Sequence, residues 1–218
     1  AGVEIPSFIK TPPTAVEFSN SSGSILSCKT VQQDAKIQWV LKDGTLVNNV
    51  KGLREIDAEG NLIFQPFSAE SFRQDVHATI YKCTATNNLG TVASHDVQVK
   101  AVVLQPYDVY VYDVYAMQGN TAVMRCHIPS FLSAYVNVTA WIRDSVVVIK
   151  STDLDQKVYL DSKYSLIPTG ELFVKDVDAK DAMTSFQCQT YNRLSKETVK
   201  SSTSGKLFVT EPQGNVPP

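Results

Sequence analysis

The stretch "IYKCTATNNLG", residues 80–90, decides the fold class, because an aromatic residue precedes a cysteine by two places in an alternating run that ends in a turn. A second run of the same kind, "SFQCQTY", covers residues 185–191. Apolar and polar residues that alternate in this way are typical of a strand with one buried face. The two runs therefore predict equivalent strands in the two halves of the chain.

A cysteine, a tryptophan and a second cysteine follow one another in each half. The order is the same twice: Cys28, Trp39 and Cys83, then Cys126, Trp141 and Cys188. The second set lies 98, 102 and 105 residues after the first. Before the second cysteine, "GNLIF" at 60–64 matches "GELFV" at 170–174. A repeat of about 100 residues is one small domain long and predicts two tandem domains.

The composition is that of ordinary globular material, with 43% hydrophobic and 19% charged residues. A net charge of -2 gives no electrostatic reason to expect nucleic acid as a partner. No apolar stretch is long enough to span a membrane, and the N-terminus lacks the layout of a signal peptide. We therefore expect a mature or excised piece of a longer protein.

Short strands separated by turns account for the whole chain, so the predicted class is all-β. We expect one domain over residues 1–102, a second over 103–210, and a linker to a following domain over 211–218. The segment "FRQDVHATIY", residues 72–81, is expected to be a strand in which Arg73, Asp75 and His77 alternate. These three side chains could form a polar recognition face, but the favoured prediction is that they simply lie in water.

The repeated cysteine–tryptophan–cysteine frame resembles the immunoglobulin superfamily. The resemblance implies two I-set type β-sandwiches with disulfides Cys28–Cys83 and Cys126–Cys188, each packed on a tryptophan. It also implies that Tyr81 is the tyrosine corner, a role that Phe186 lacks the hydroxyl to fill. Reduced cysteines or a zinc site remain the alternative, although the CxxC-type pairs that such a site needs are absent.

No motif in the sequence carries chemistry, so we expect neither an enzyme nor a cofactor, a metal or a small-molecule substrate. Asp176, Asp178 and Asp181 could suggest calcium, but a turn in which an aspartate binds local backbone amides is favoured. Two N-x-S/T triplets, at Asn20 and Asn137, predict glycosylation and agree with a secretory route.

Three runs narrow the resemblance: "RQDVHATIYKCTATNNLG" at 73–90, "GNTAVMRCHIPSF" at 119–131 and "YSLIPTGELFVKDV" at 164–177. They look like the first two immunoglobulin domains of the Dscam (Down syndrome cell adhesion molecule) family in its arthropod forms. The resemblance implies a single-pass cell-surface receptor that binds an identical molecule on an apposed cell in neuronal self-recognition and axon guidance. It also implies that the first edge strand of the second domain pairs with the same strand of the partner.

That strand corresponds here to "YDVYVYDV", which departs from the family's more polar strand by its extra tyrosines and valines. The predicted homophilic interface consists of Tyr107, Asp108, Val109, Tyr110, Val111, Tyr112, Asp113 and Val114. As an edge strand it should expose unpaired N–H and C=O groups that a second copy can complete.

Period two places Asp108, Tyr110, Tyr112 and Val114 on one face of that strand and the odd-numbered residues up to Tyr115 on the other. Antiparallel pairing centred on Val111 sets Tyr110 against Tyr112 and brings no like charges together. In this prediction Val111→Asp abolishes self-adhesion and leaves the fold intact. The alternative is a heterophilic receptor, for example one that binds an immune ligand, that uses the loops between strands.

Overall fold

The computed structural model describes residues 4–151, 159–160, 162–212 and 214. The contacts divide the chain into two compact units, Ala1–Gln105 and Pro106–Pro218. The predicted boundaries remain predictions, and most of the predicted linker over 211–218 lies outside the described residues. The all-β prediction is confirmed, because strands build both units and the helices are single turns.

The described part of the first unit contains ten strands: β1 (Phe8–Lys10), β2 (Ala15–Ser19), β3 (Ser24–Leu26), β4 (Lys29–Thr30), β5 (Lys36–Leu41), β6 (Arg54–Ile56), β7 (Leu62–Phe64), β8 (Ala78–Asn87), β9 (Gly90–Ala93) and β10 (Val97–Val102). One sheet has the order β2-β10-β8-β5 with β9 on β8, and the other has the order β3-β7-β6. β1 pairs only with β4 among the described strands, and β2 runs parallel to β10. This is the sandwich that the sequence predicts.

Among its described residues the second unit also has ten strands: β11 (Val114–Met117), β12 (Ala122–Met124), β13 (Val136–Arg143), β14 (Val146–Lys150), β15 (Tyr159–Leu160), β16 (Tyr164–Leu166), β17 (Leu172–Val174), β18 (Ser185–Asn192), β19 (Thr198–Lys200) and β20 (Gly205–Thr210). One sheet has the order β11-β20-β18-β13-β14 with β19 on β18, and the other has the order β12-β17-β16-β15. β11 runs parallel to β20 as β2 does to β10, so the two units repeat the same architecture.

The helical turns are α1 (Gln74–His77) and three 3-10 turns, at Ala69–Ser71, Ser130–Leu132 and Ala179–Asp181. The strand expected over residues 72–81 is therefore wrong in its first half. His77 is fully buried and stacks on Phe67 with ring centroids 3.9 Å apart, because the turn of α1 points its side chain into the core. Arg73 and Asp75 are exposed, as expected, and form an ion pair of 2.6 Å.

The cysteine–tryptophan frame forms the centre of each core. Cys28 bonds to Cys83 and Cys126 to Cys188, as the resemblance implies. Trp39 lies directly across from Cys83 in the β5–β8 register, and Trp141 lies across from Cys188 in the β13–β18 register. The repeated order along the sequence is thus a repeated cross-strand pair.

The glycine of each repeated Gly-x-Leu run accepts a hydrogen bond from the buried tryptophan. The indole N–H of Trp39 donates to Gly60 O at 2.8 Å, and that of Trp141 donates to Gly170 O at 3.0 Å. Gly170 has a φ of +96°, and a Cβ there would lie 2.7 Å from Val138 Cγ2. Only glycine fits, since other residues rarely adopt this φ and would clash.

The tyrosine corner is present in the first unit and replaced in the second. Tyr81 Oη donates to Val76 O at 2.7 Å and accepts from Arg54 Nη1 at 2.9 Å. The second unit has Phe186 at this place, and there Arg143 donates instead to the hydroxyl of Tyr164.

An ionic cluster closes the same end of the second unit. Arg143 and Lys163 both bind the buried carboxylate of Asp181, at 3.1 and 2.7 Å. Asp181 also accepts the N–H of Asp178, whose own carboxylate accepts the N–H of Lys180. The "KDVDAKD" segment is therefore the turn that the sequence favours, capped by its own aspartates.

Candidate functional site

The segment Tyr107–Tyr115 crosses from one sheet of the second unit to the other. Tyr110 bridges to His127, next to β12, whereas β11 begins only at Val114 and pairs with β20. The single regular strand predicted over 107–115 is therefore wrong. Between its pairing with His127 and its pairing with β20, the chain changes direction at Tyr112 and Asp113. This change interrupts the alternation of inward and outward side chains.

The burial of the side chains changes where the segment crosses between the sheets. Val109 and Val111 are buried, and after the step Ala116 is buried while Val114 is half-buried on the same core. The inward positions thus change from odd to even numbers. Asp113 and Tyr115, predicted to share a face with Val109 and Val111, are exposed instead.

Both edges of the backbone at Tyr110 and Val111 are already paired within the unit. Tyr110 exchanges two hydrogen bonds with His127, of 3.1 and 2.8 Å. Val111 N donates to Thr203 Oγ1 at 3.0 Å, and the same hydroxyl donates to Val111 O at 2.8 Å. Ser202 N donates to Val109 O at 2.8 Å. The prediction of an unfilled backbone at these two residues is wrong, because His127 and Thr203 occupy the two edges.

Four exposed side chains come together on the outer side of this segment, and we call Asp108, Tyr110, Tyr112 and His127 the aromatic patch. The rings of Tyr110 and Tyr112 are nearly parallel with centroids 6.3 Å apart, and Tyr112 lies 4.7 Å from the His127 ring. Tyr112 is 57% exposed. The prediction that Asp108, Tyr110 and Tyr112 share one face agrees with this geometry.

Asp108 ties the patch to the body of the domain. Its carboxylate accepts from Ser202 Oγ at 2.9 Å and from Tyr110 Oη at 3.3 Å. The negative charge of Asp108 raises the pKa of Tyr110 above its ordinary value. Tyr110 therefore presents a neutral phenol to any partner, held in place at one end by its own neighbour.

Gly205 packs closely against Val111 and Tyr112, where the segment crosses between the sheets. A Cβ at this residue would lie 2.3 Å from Tyr112 O and 2.6 Å from Val111 Cγ1. Lys206 N, the next donor along β20, binds Asp113 Oδ1 at 2.8 Å. The first two residues of β20 therefore fix the backbone on which Tyr112 is displayed.

Sequence reasoning missed His127, Thr203 and Gly205, which lie far from residues 107–114 in the chain. Nothing in the local sequence around His127 marks it as a surface partner of Tyr112. A tertiary contact of this kind has no local sequence signal. The glycine at 205 could have been suspected only as a place where another backbone approaches a strand.

The two predicted glycosylation sites differ in their surroundings. Asn137 is exposed on β13. Asn20 is half-buried, with its amide donating to Phe67 O and its oxygen accepting from Leu104 N. Glycosylation stays a prediction at both, and the free side chain of Asn137 suits it better.

Among the described residues no three or more His, Cys, Asp or Glu side chains gather in a way that could hold a metal ion. In the same part of the chain no helix has the length and apolar character that crossing a membrane requires.

Comparison with known proteins identifies the relatives of this two-domain unit. No protein-family model matches the chain. Cell adhesion molecule Dscam1 of Drosophila melanogaster is 41% identical over 98% of the chain, and human DSCAM is 33% identical over 96%. The chain belongs to the Dscam family. It spans about a tenth of the length of each of these curated relatives, which are cell adhesion molecules by name.

Solved structures of Dscam1 agree in fold. The crystal structure of the N-terminal four Ig domains of isoform 9.44 matches with a TM-score of 0.81 and 40% identity over 97% of this chain and 53% of that one. A structure described as the structural basis for Dscam isoform specificity matches with a TM-score of 0.73 and 41% identity over 96% and 53%. The two Dscam domains described here are therefore immunoglobulin-like, as the cysteine–tryptophan frame implies.

Proposed function

We propose that this chain is the first two domains of the extracellular part of a Dscam receptor that binds an identical molecule on an apposed cell. The whole receptor is anchored in the plasma membrane through regions outside this chain and acts in neuronal self-recognition and wiring. Relatives named as cell adhesion molecules, and a structure concerned with isoform specificity, support this function. The observation that carries it is the aromatic patch, which is exposed and built on a braced backbone.

The patch has the character of a recognition surface. Tyrosine is enriched in interface cores because its ring is rigid, large and able to form hydrogen bonds. Tyr110 and Tyr112 expose 36% and 57% of their surface although the segment beneath them is fully buried at Val109 and Val111. A solvated turn gains nothing from two neighbouring exposed rings, whereas a binding surface does.

The proposed contact differs from the strand pairing that the sequence suggests. With the edges at Tyr110 and Val111 already occupied, a second copy meets side chains of residues 107–114 and not an open backbone there. In a two-fold arrangement every contact occurs twice, so the substitution of one ring changes the binding free energy at two equivalent contacts. A small patch of this kind is weak alone and gains strength from other domains of the receptor.

Cell aggregation tests this function. Cells that display the full ectodomain should aggregate, and Tyr110→Ser with Tyr112→Ser should abolish aggregation without a change in thermal stability. Tyr115→Ser is the matched control, because Tyr115 is 71% exposed yet stacks on Phe208 outside the patch. Aggregation of the double variant at the level of the unaltered receptor would refute the patch.

Mixing two labelled populations of cells, of which only one expresses the receptor, distinguishes heterophilic binding from self-recognition. Self-recognition predicts clusters of one label. Mixed clusters that survive the double tyrosine variant would favour a different ligand, bound through the loops.

A further inference from the structure

The two disulfides of this protein differ in their access to solvent. Cys28 and Cys83 are 2% and 0% exposed, so neither sulfur of the first domain can be reached from outside. In the second domain Cys188 is also fully buried, but Cys126 is half-buried. The Cys126–Cys188 bond therefore has one protected sulfur and one accessible side.

A pocket leads to that accessible side. It has a volume of about 290 Å³, and its lining includes Cys126, Ile128, Val138, Thr169 and Gly170. The lining is of mixed polarity and contains no carboxylate, so no negatively charged side chain in it repels a small anionic thiolate that enters.

We propose that Cys126 is a site of reductive modification by a small extracellular thiol, whereas the disulfide of the first domain is inert. An entering thiolate attacks Sγ of Cys126 in line with the sulfur–sulfur bond, because access decides which sulfur is attacked. A mixed disulfide forms on Cys126, the Cys126–Cys188 bond breaks, and Cys188 leaves as a thiolate that takes a proton from water. A second thiol then releases the oxidised dimer of the reagent and leaves both cysteines reduced.

The modification would act on the aromatic patch through one residue. Cys126 directly precedes His127, and the disulfide is the covalent tie of the segment between β12 and the turn at Ser130. Two hydrogen bonds to Tyr110 and the packing of Ile128 on the core also hold this segment. His127 in turn packs against Tyr112 at 4.7 Å. Reduction removes the covalent tie, so the backbone partner of Tyr110 is held less firmly. This second step rests on the proposed function of the patch, whereas the modification itself does not.

The experiment treats the folded 218-residue chain with graded reduced glutathione, quenches it with N-ethylmaleimide and locates the adducts by peptide mass spectrometry. The expected product carries glutathione on Cys126 and maleimide on Cys188, and it forms at least tenfold faster than any adduct on Cys28 or Cys83. Equal rates in the two domains, or glutathione on Cys188, would overturn the proposal.

A plugged pocket supplies the matched control. Thr169 is exposed at the rim of the pocket, so Thr169→Trp can cover the opening and leave the core unchanged. It should slow the modification of Cys126 several-fold at an unaltered unfolding temperature. An unaltered rate in this variant would show that the thiol does not enter through the pocket, and the proposed route would be wrong.

Hydrogen exchange measures the effect of disulfide reduction on the aromatic patch without relying on adhesion. After selective reduction, the amides of Tyr110 and His127 should exchange at least tenfold faster, while those of β17 change much less. Unchanged exchange at Tyr110 and His127 would overturn the coupling. If the oxidised receptor fails to aggregate cells, the function proposed for the patch is wrong, and the labelling and exchange still decide the redox site.

Discussion

Tyr110 and His127 exchange both of their backbone hydrogen bonds, at 3.1 and 2.8 Å, across the end of the second domain's sandwich. This pair joins a segment rich in tyrosine to the residue that follows the first cysteine of the domain. It explains why the backbone at Tyr110 is not available to another chain, while the ring of Tyr112 beside it remains exposed. In the proposed function, self-recognition at this place therefore depends on displayed side chains.

Val111→Asp should unfold the second domain. Val111 is 1% exposed, and a carboxylate in its place would be buried without a partner, which costs roughly 4 kcal/mol or more. Tyr112→Asp is the control, since its charge remains in water. Urea unfolding should show a lost or strongly weakened transition for the first variant only. A stable Val111→Asp domain would show that this valine is not part of the core.

Gly205→Ala should impair adhesion more than stability. The new methyl group would lie 2.3 Å from Tyr112 O, so the segment that displays Tyr112 must shift. Overpacking of this kind costs about 1–3 kcal/mol. Cell aggregation and thermal unfolding measure the two effects. Normal aggregation by this variant would mean that the position of Tyr112 does not matter.

Gly170→Ala should destabilise the second domain more than Gly119→Ala does. Both glycines have a positive φ, but only a Cβ at Gly170 meets another atom, Val138 Cγ2 at 2.7 Å. The strain of the backbone alone is worth about 1 kcal/mol, and the clash adds about 1–3 kcal/mol. The difference between the two variants in urea unfolding isolates the steric part. Equal losses of unfolding free energy in the two variants would contradict the close packing of Gly170 against Val138.

Asp181 should make the second domain sensitive to strong acid. Burial acts to raise the pKa of its carboxyl, but hydrogen bonds from Lys163 and the Asp178 N–H, with the charges of Lys163 and Arg143, lower the pKa overall. A lowered pKa in the folded state gives stability that is present above the unfolded value near 3.8 and is lost as the pH falls through the folded value.

Asp181→Asn is the variant that tests this dependence. It should cost roughly 3–5 kcal/mol at neutral pH, because two partly buried cations lose the carboxylate that they share. It should also flatten the dependence of stability on pH below about pH 4. Urea unfolding as a function of pH measures both effects. A variant as stable as the unaltered protein would contradict the role of the ionic cluster.

His77 should make the first domain sensitive to mild acid. Burial lowers the pKa of its imidazole, and the charges of Arg54 and Arg73 add to this, although the charge of Asp75 opposes it. Stability is therefore full above the unfolded pKa of about 6.5 and declines as the pH falls below it. His77→Phe keeps the stacking on Phe67 and should remove this decline. A decline of the same size in the variant would point to another group.

The sequence predicts most of the frame of this protein, because the frame depends on patterns that are local or repeated. The cysteine–tryptophan order, the Gly-x-Leu runs and Tyr81 all lie where the sequence places them, since each marks a buried position in a strand or a turn next to one. The turn at Asp178 was predictable for the same reason, because an aspartate that binds nearby amides needs no distant partner.

The candidate site was predictable only in part. Alternation correctly places Asp108, Tyr110 and Tyr112 on one face. It cannot show where the segment changes sheets, because the alternating pattern continues through Asp113 without a break in the sequence. The partners that occupy its edges, His127 and Thr203, lie far from it in the sequence. His77 was misplaced because a single helical turn within an alternating stretch has no periodicity of its own.

The most direct measurement places a photo-cross-linking amino acid at Tyr112 of the full ectodomain and mixes isotopically heavy and light copies under conditions of adhesion. The account predicts heavy–light cross-links that join Tyr112 to residues 107–114, or to His127, of the second copy. Adhesion that persists while Tyr112 forms cross-links only within its own chain, or only to other domains of the partner, would contradict it.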